Sequence, residues 1–374
     1  MDEVRWGIIG VGAVCEKKSG PAFQKCQGST LVAVMRRTTH LAKDFADRHG
    51  VPRFYDKVEA LIQDTNVNAL YIATPPGTHL EIAMKCVQSG KPTYIEKPIA
   101  RNATETRHIV EAFANAGVPL FCAYYRRGQP KFVKAKEVLA SNVLGKITSI
   151  DYTMLRPTYV MPKELPWRFV SRCSGGGLLM DVGCHTIDAL DYMMGCPLTQ
   201  VMGHASNVNS SYNVEDSVSI CARMVSEQPV EGRAQVDAHV RMLWSFAGPP
   251  DQREDLFVIR GTLGTMTLST FGTDPIVVER TPAPTSETTT ETSPPSPSAS
   301  LVETYPFDPP EHAHQPLVQT IVDELRGTAD VPSPSRSDNG LRVAIVMDQA
   351  LENYYMGRAD GFWNREETWA KNRD

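Results

Sequence analysis

An unbroken alternation restricts this chain most: over its first 124 residues, short apolar runs take turns with helix-like patterns. Arg5 to Val11 is apolar and ends in Gly10-Val11-Gly12, after which Ala13 to Phe23 has helical spacing past Gly20 and Pro21. Thr30 to Met35 is the second run, followed by a helix from Leu41 to His49 that Gly50 stops. Asp56-Lys57-Val58-Glu59 and Thr78-His79-Leu80-Glu81 read as capping boxes on either side of the run Ala69 to Ala73. Lys91 to Ile95, a helix opened by Asn102-Ala103-Thr104-Glu105, and Val118 to Tyr124 complete the series. Strands that alternate with helices pair in parallel and are covered on both faces. The expectation is an α/β protein whose first domain, residues 1–123, is a doubly wound parallel sheet.

In such a sheet, ligands lie at the carboxyl ends of the strands. Gly10 and Gly12 suit a tight turn whose main chain a pyrophosphate can approach, with Ala13 and Val14 opening the helix beyond. Cys15 replaces the third glycine of the dinucleotide fingerprint. After the second run, where an acid would hold the ribose of NAD, stand Arg36, Arg37 and Thr38. Guanidinium groups suit the 2′-phosphate of NADP, so NADP is expected over NAD. Thr74 and Pro75 fall at a strand end, and Glu96-Lys97-Pro98 at another. Taken alone, Glu96-Lys97 reads equally as a surface ion pair of little energetic weight. At a junction between two domains, the same ammonium can reach a cofactor hydroxyl and a substrate oxygen.

The pattern changes beyond Tyr125-Arg126-Arg127, so residues 124–374 are expected to form a second domain. A helix from Lys131 to Leu139 leads to a strand at Ile147 to Met154. Six further strand-like runs follow: Val201 to Ala205, Val218 to Met224, Val236 to Phe246, Leu256 to Arg260, Met266 to Leu268 and Ile276 to Val278. Strands in succession predict a large, open, mostly antiparallel sheet, with one face left for a homodimer or homotetramer contact. Residues 281–300 contain only Thr, Pro, Ala, Ser and Glu and are expected to form a flexible insertion. Helices at Leu317 to Arg326 and Leu341 to Tyr355 follow.

With 38 basic and 43 acidic residues, the chain has no charge excess that would gather nucleic acid or a membrane surface. No apolar run is long enough to span a bilayer, and the first strand begins almost at Met1, so a cytoplasmic location is expected. The eight cysteines have no metal-site spacing and are expected as reduced, mostly buried thiols.

Chemistry-bearing residues are densest from Ser174 to Asp188. Gly175-Gly176-Gly177 gives way to a helix on which Asp181 and His185, four apart, share a face. A carboxylate that orients an imidazole is what proton transfer near neutral pH requires, and Asp188 stands close enough in sequence to touch the same ring. The alternative is a helix that satisfies its own polar residues. Tyr124, Tyr125, Arg126, Arg127 and Arg156 are candidates for substrate contacts or for structural roles.

Gly10-Val11-Gly12, Ala73-Thr74-Pro75 with His79, Glu96-Lys97-Pro98 and the Gly175-to-His185 stretch together resemble the Gfo/Idh/MocA oxidoreductases. The resemblance implies a Rossmann domain followed by an α/β domain with an open sheet. It also implies Lys97, Asp181 and His185 as catalytic residues. Thr74, Pro75, His79, Glu96, Lys97, Trp167 and Arg168 would then lie along the cofactor. The expected reaction is hydride transfer between NADP and a carbinol or carbonyl carbon of a small-molecule sugar or polyol. Two alternatives stay open: an enzyme like trans-dihydrodiol or D-xylose dehydrogenase, and a non-enzymatic NADP-sensing regulator.

Overall fold

The computed structural model describes residues 1–209, 211–226, 235–280 and 301–365; the expected insertion at 281–300 lies outside them. The chain opens with β1 (Val4–Ile9), α1 (Gly20–Lys25), β2 (Ser29–Met35), α2 (Thr39–His49), β3 (Arg53–Tyr55) and α3 (Val58–Gln63). It continues through β4 (Ala69–Ile72), α4 (His79–Gln88), β5 (Thr93–Ile95), α5 (Ala103–Ala116) and β6 (Leu120–Cys122). These strands form one parallel sheet in the order β3-β2-β1-β4-β5-β6. The order reverses at β1 and β4, the switch point where a doubly wound sheet opens a ligand crevice.

α6 (Pro130–Ala140), β7 (Ile147–Pro157), the single turn α7 (Ser171–Ser174) and α8 (Cys184–Met194) follow. Then come β8 (Leu198–Ser206), β9 (Ser217–Val225), β10 (Val236–Gly248), β11 (Glu254–Gly261), β12 (Gly264–Leu268), β13 (Ile276–Arg280) and β14 (Leu301–Tyr305). These eight strands make a second sheet, β14-β13-β12-β11-β7-β10-β9-β8, antiparallel except for the β7–β10 pair. Two helices, α9 (Gln315–Arg326) and α10 (Ser337–Tyr355), come last.

Alternation along the strands explains how the layers stack. Trp6, Ile8, Val34, Tyr71 and Tyr94 face one side of the first sheet, where they pack with Phe23, Phe45 and the α9 residues Leu317, Val318, Ile321 and Val322. Ile9, Leu70, Ile72 and Ile95 face the other side, in a core continuous with α3, α4, α5 and the inner face of the second sheet. The late helix α9 thus covers the early sheet. The outer face of the second sheet is mostly polar, and Asp151 there joins Arg241 and Arg260.

Several local expectations are corrected. Neither proposed capping box forms at Asp56 or Thr78: no side chain caps α3 or α4. The Thr78 hydroxyl has nearer acceptors in Thr74 Oγ1 at 2.8 Å and the Pro75 carbonyl at 2.9 Å. After the first turn, helical structure begins at Ala13 as expected, and a π-turn at Cys15–Ser19 interrupts it before α1. The edge strands β3 and β14 have no counterpart in the sequence reading, being three and five residues long.

Candidate functional site

The carboxyl ends of β1, β2, β4 and β5 open on a cavity of about 730 Å3. Gly10, Gly12, Ala13 and Val14 form its wall at the first turn, and Arg36, Arg37 and Thr38 do so after β2. Gly10 has φ +98°, and a Cβ there would sit 2.5 Å from Thr74 Cγ2, so glycine is required. A Cβ on Gly12 would meet nothing nearer than the Gly10 carbonyl at 4.0 Å, which leaves that turn open to a close-approaching ligand. Among the described residues, no carboxylate lies within salt-bridge distance of Arg36 or Arg37. A cavity of this size, with an open glycine turn and two unpaired guanidinium groups after β2, fits a dinucleotide.

At the other end, Thr74, Pro75, Glu96 and Lys97 meet Trp167, Arg168 and Asp181 from the second half of the chain. Lys97 Nζ donates to the Asp181 carbonyl at 2.7 Å and to Asp181 Oδ1 at 3.2 Å. Arg168 Nε donates to Asp181 Oδ2 at 3.1 Å, and its guanidinium lies 5.1 Å from the Trp167 ring. Burial, the largest single influence, works against the Lys97 charge, but Asp181 together with Cys184, Glu96 and Tyr125 outweighs it and holds the ammonium form. Burial likewise opposes ionisation of Asp181, and the Lys97 and Arg168 charges overcome it.

Glu96 is buried on the same wall. Its carboxylate accepts hydrogen bonds from the Tyr71 hydroxyl and, at 3.1 Å, from the Lys97 amide. Burial, the largest influence, raises its pKa despite Lys97. Beside it stands His314, which sequence reasoning missed. Its ring lines the cavity, lies 3.1 Å from the Tyr94 hydroxyl through Nδ1 and 3.7 Å from Glu96 through Nε2, and stacks on Tyr125 at 4.7 Å. No motif surrounds His314. Only the fold brings the segment before α9 to this wall.

His185 takes a different place from the one expected. It is not on the cavity wall; it packs against Tyr125, which is, at 5.1 Å between ring centroids. Tyr124 and Phe271 flank it edge-on at 6.2 and 6.0 Å. Its Nδ1 is buried without a hydrogen-bond partner. Burial first, then the charges of Lys97, Arg126, Lys18 and His314, hold its pKa well below the ordinary imidazole value. The ring is therefore neutral and able to accept a proton.

Asp181 does not orient that ring: among the described residues no hydrogen bond joins them, and the carboxylate is spent on Lys97 and Arg168. Asp181 lies in a π-turn, Leu179–Gly183, and His185 is the second residue of α8 after it. Asp188 does not serve the ring either. It accepts from Arg127 at 2.9 Å and Asn339 at 3.1 Å inside the core.

His79, expected along the cofactor, is fully buried behind the wall. Its Nε2 lies 2.7 Å from the Thr74 carbonyl and its Nδ1 3.0 Å from the Ile99 carbonyl, so it fixes the loop that presents Thr74. Burial lowers its pKa. Among the described residues, no cluster of three or more His, Cys, Asp or Glu side chains could hold a metal, and no helix is long and apolar enough to cross a membrane.

A doubly wound sheet with an open glycine turn, facing an open second sheet across a shared lysine–aspartate contact, defines a nicotinamide-dependent oxidoreductase architecture. Residues 4–124 match the model of an oxidoreductase family with an NAD-binding Rossmann fold, and residues 132–267 match the GFO/IDH/MocA C-terminal domain. The chain belongs to the Gfo/Idh/MocA family. It is 35% identical to Oxidoreductase P35 of Formosa agariphila over 92% of this chain and 97% of that protein. It is 28% identical to trans-1,2-dihydrobenzene-1,2-diol dehydrogenase of Xenopus laevis over 49% of this chain and 54% of that one. Levoglucosan dehydrogenase in complex with NADH and levoglucosan shares the fold, with a TM-score of 0.74 at 21% identity over 94% of this chain and 96% of that one. Aldose-aldose oxidoreductase from Caulobacter crescentus does so at 0.73 and 19% identity, over 94% and 98%.

Proposed function

We propose that this protein is an NADP-dependent oxidoreductase that moves a hydride between the nicotinamide and a carbinol or carbonyl carbon of a sugar or polyol. The observation that carries the reading is Lys97, held as an ammonium by Asp181 on the wall that also bears the glycine turn. Gly10, Gly12, Ala13 and Val14 would hold the pyrophosphate, and Arg36, Arg37 and Thr38 the 2′-phosphate. Thr74, Pro75, Glu96, Trp167 and Arg168 would surround the nicotinamide end.

The cofactor, when bound, supplies or accepts the hydride. In the oxidative direction, neutral His185 takes the substrate hydroxyl proton on Nε2, and the Lys97 ammonium stabilises the oxyanion that develops. Asp181 keeps Lys97 charged and aimed. We assign residues 1–123 to the nucleotide domain and 124–374 to the substrate and assembly domain, with α9 lent back to the first sheet. A homodimer or homotetramer would form through the outer face of the second sheet. Likeness to the dihydrodiol dehydrogenases supports a second reading, with a trans-dihydrodiol as substrate.

The test is NADPH oxidation and NADP reduction over sugars, polyols and trans-dihydrodiols. Lys97→Met and His185→Ala are expected to lower turnover by about 10²- to 10⁴-fold, with NADPH binding retained. Full activity in either variant removes the role assigned to it. Tight NADPH binding without turnover of any of these substrates would favour a sensor.

A further inference from the structure

Beyond its charge on His185, Arg126 has no function in the reaction as derived, yet its surroundings are unusual for a buried cation. The side chain is 3% exposed and lies between the rings of Tyr125 and Phe271, 4.9 and 4.2 Å from their centroids. Nε donates to the Thr270 carbonyl at 3.2 Å, while Nη1 is buried with no partner. Among the described residues, no carboxylate lies within salt-bridge distance of the guanidinium. Asp255, the acid that organises this loop, is occupied by the Thr270, Phe271 and Gly272 amides and the Tyr152 hydroxyl. Nearby Lys131 is also without an acid and donates only to Ser269 Oγ and the carbonyls of Gly272 and Asp274.

A buried charge is costly unless an opposite charge compensates it, and two aromatic faces are a weak substitute. The compensating group is therefore expected from outside the chain. Its location is set by the rings: Tyr125 and Phe271, which hold Arg126, are the same two that flank His185. The guanidinium lies 4.9 and 4.2 Å from these rings and the His185 ring 5.1 and 6.0 Å from them, so both groups stand on the same aromatic pair.

We propose that Arg126 anchors a carboxylate on the substrate, which makes the substrate a sugar acid rather than a neutral sugar or polyol. The inference rests on the proposed oxidoreductase function, with His185 as the proton acceptor. Carboxylate is favoured over phosphate because a single guanidinium is available. Lys131 has its three hydrogen bonds already made, and one positive charge matches a monoanion.

The experiment titrates NADPH-loaded protein with D-glucose against D-glucuronate and D-galactose against D-galacturonate, with glucose 6-phosphate as a further arm, following NADPH fluorescence. At least one acid is expected to bind about ten-fold or more tightly than its neutral partner, the worth of one charge-assisted contact. Arg126→Gln should abolish most of that difference with NADPH binding retained, and Arg126→Lys should restore part of it. The wild-type comparison stands even if the variants fail to fold. Equal binding of acids and neutral partners, no binding of any acid, a preference for glucose 6-phosphate, or an acid preference that survives Arg126→Gln overturns the proposal. Failure of the wild-type protein to bind NADPH would overturn the oxidoreductase reading, and this proposal with it.

Discussion

His185 and Lys97 are tuned in opposite senses by one principle. Burial disfavours charge on both, but Lys97 has an aspartate against it, whereas His185 faces Lys97, Arg126, Lys18 and His314. A lowered imidazole pKa keeps the proton-accepting form down to more acidic pH. The acid limb of the oxidation rate is therefore expected below pH 6.5, and a pH–rate profile falling at about 6.5, the ordinary imidazole value, would contradict this. At the opposite end of the cavity, Arg36 and Arg37 carry no acid partner among the described residues. Arg36→Ala with Arg37→Ala should raise KM for NADPH at least about ten-fold and leave KM for NADH nearly unchanged, measured by initial rates with each cofactor. Residue identity made these two sites legible, since Lys97 and Arg36 stand at strand ends that the apolar runs mark out. The contacts of His79 and Asp181 were not legible, because their partners, the Thr74 carbonyl and the Lys97 ammonium, depend on backbone geometry that spacing does not encode.

Helix starts show where local chemistry decides and where it yields. Asn102 caps α5 as the sequence indicates, with its side-chain oxygen accepting from the Glu105 amide at 2.8 Å. Its amide also donates to the Arg358 carbonyl, which fastens α5 to the chain beyond α10. Asn102→Ala is expected to cost about 1 kcal/mol for the cap, with more from the orphaned carbonyl, read from the midpoint of urea unfolding. Thr78 has the right residue type at the right spacing and does not cap, because the turn before it offers its hydroxyl closer oxygens. The glycine stretch before Asp181 has a comparable cause. A Cβ on Gly177 would lie 2.1 Å from the Glu215 carbonyl, a contact contributed by a segment 38 residues away. Periodicity thus located nearly every long element. The π-turns and the two short edge strands escaped it, because a π-turn lies inside a helical pattern and no residue of β3 or β14 is buried to mark an apolar run.

At the scale of the whole molecule, one buried network ties the segment after β6 to α8 and α10. Arg127 donates to Asp188 at 2.9 Å and to Asp191 at 2.7 Å, and Arg342 from α10 reaches Asp191 at 2.9 Å. Arg127→Met leaves two acids short of their cation and is expected to cost about 3–5 kcal/mol, measured by chemical denaturation. Burial already lifts Asp188 to about 6 against the opposing Arg127 charge. Without the guanidinium its folded pKa rises further, so the variant's deficit should be largest at alkaline pH and shrink as pH falls towards 6. The two-sheet architecture was legible because strand–helix alternation and strand succession are long patterns. The closing of the first sheet was not, because it joins distant parts of the chain. Leu317, Val318, Ile321 and Val322 lie on the same core as Trp6 and Tyr71, and His314 sits on the cavity wall. The nucleotide-binding unit is therefore not one continuous stretch of the gene. A transplant made by a single cut after β6 would carry a sheet with one greasy face partly bare and a cavity missing part of its wall. A working chimera would have to borrow its donor sequence in two pieces.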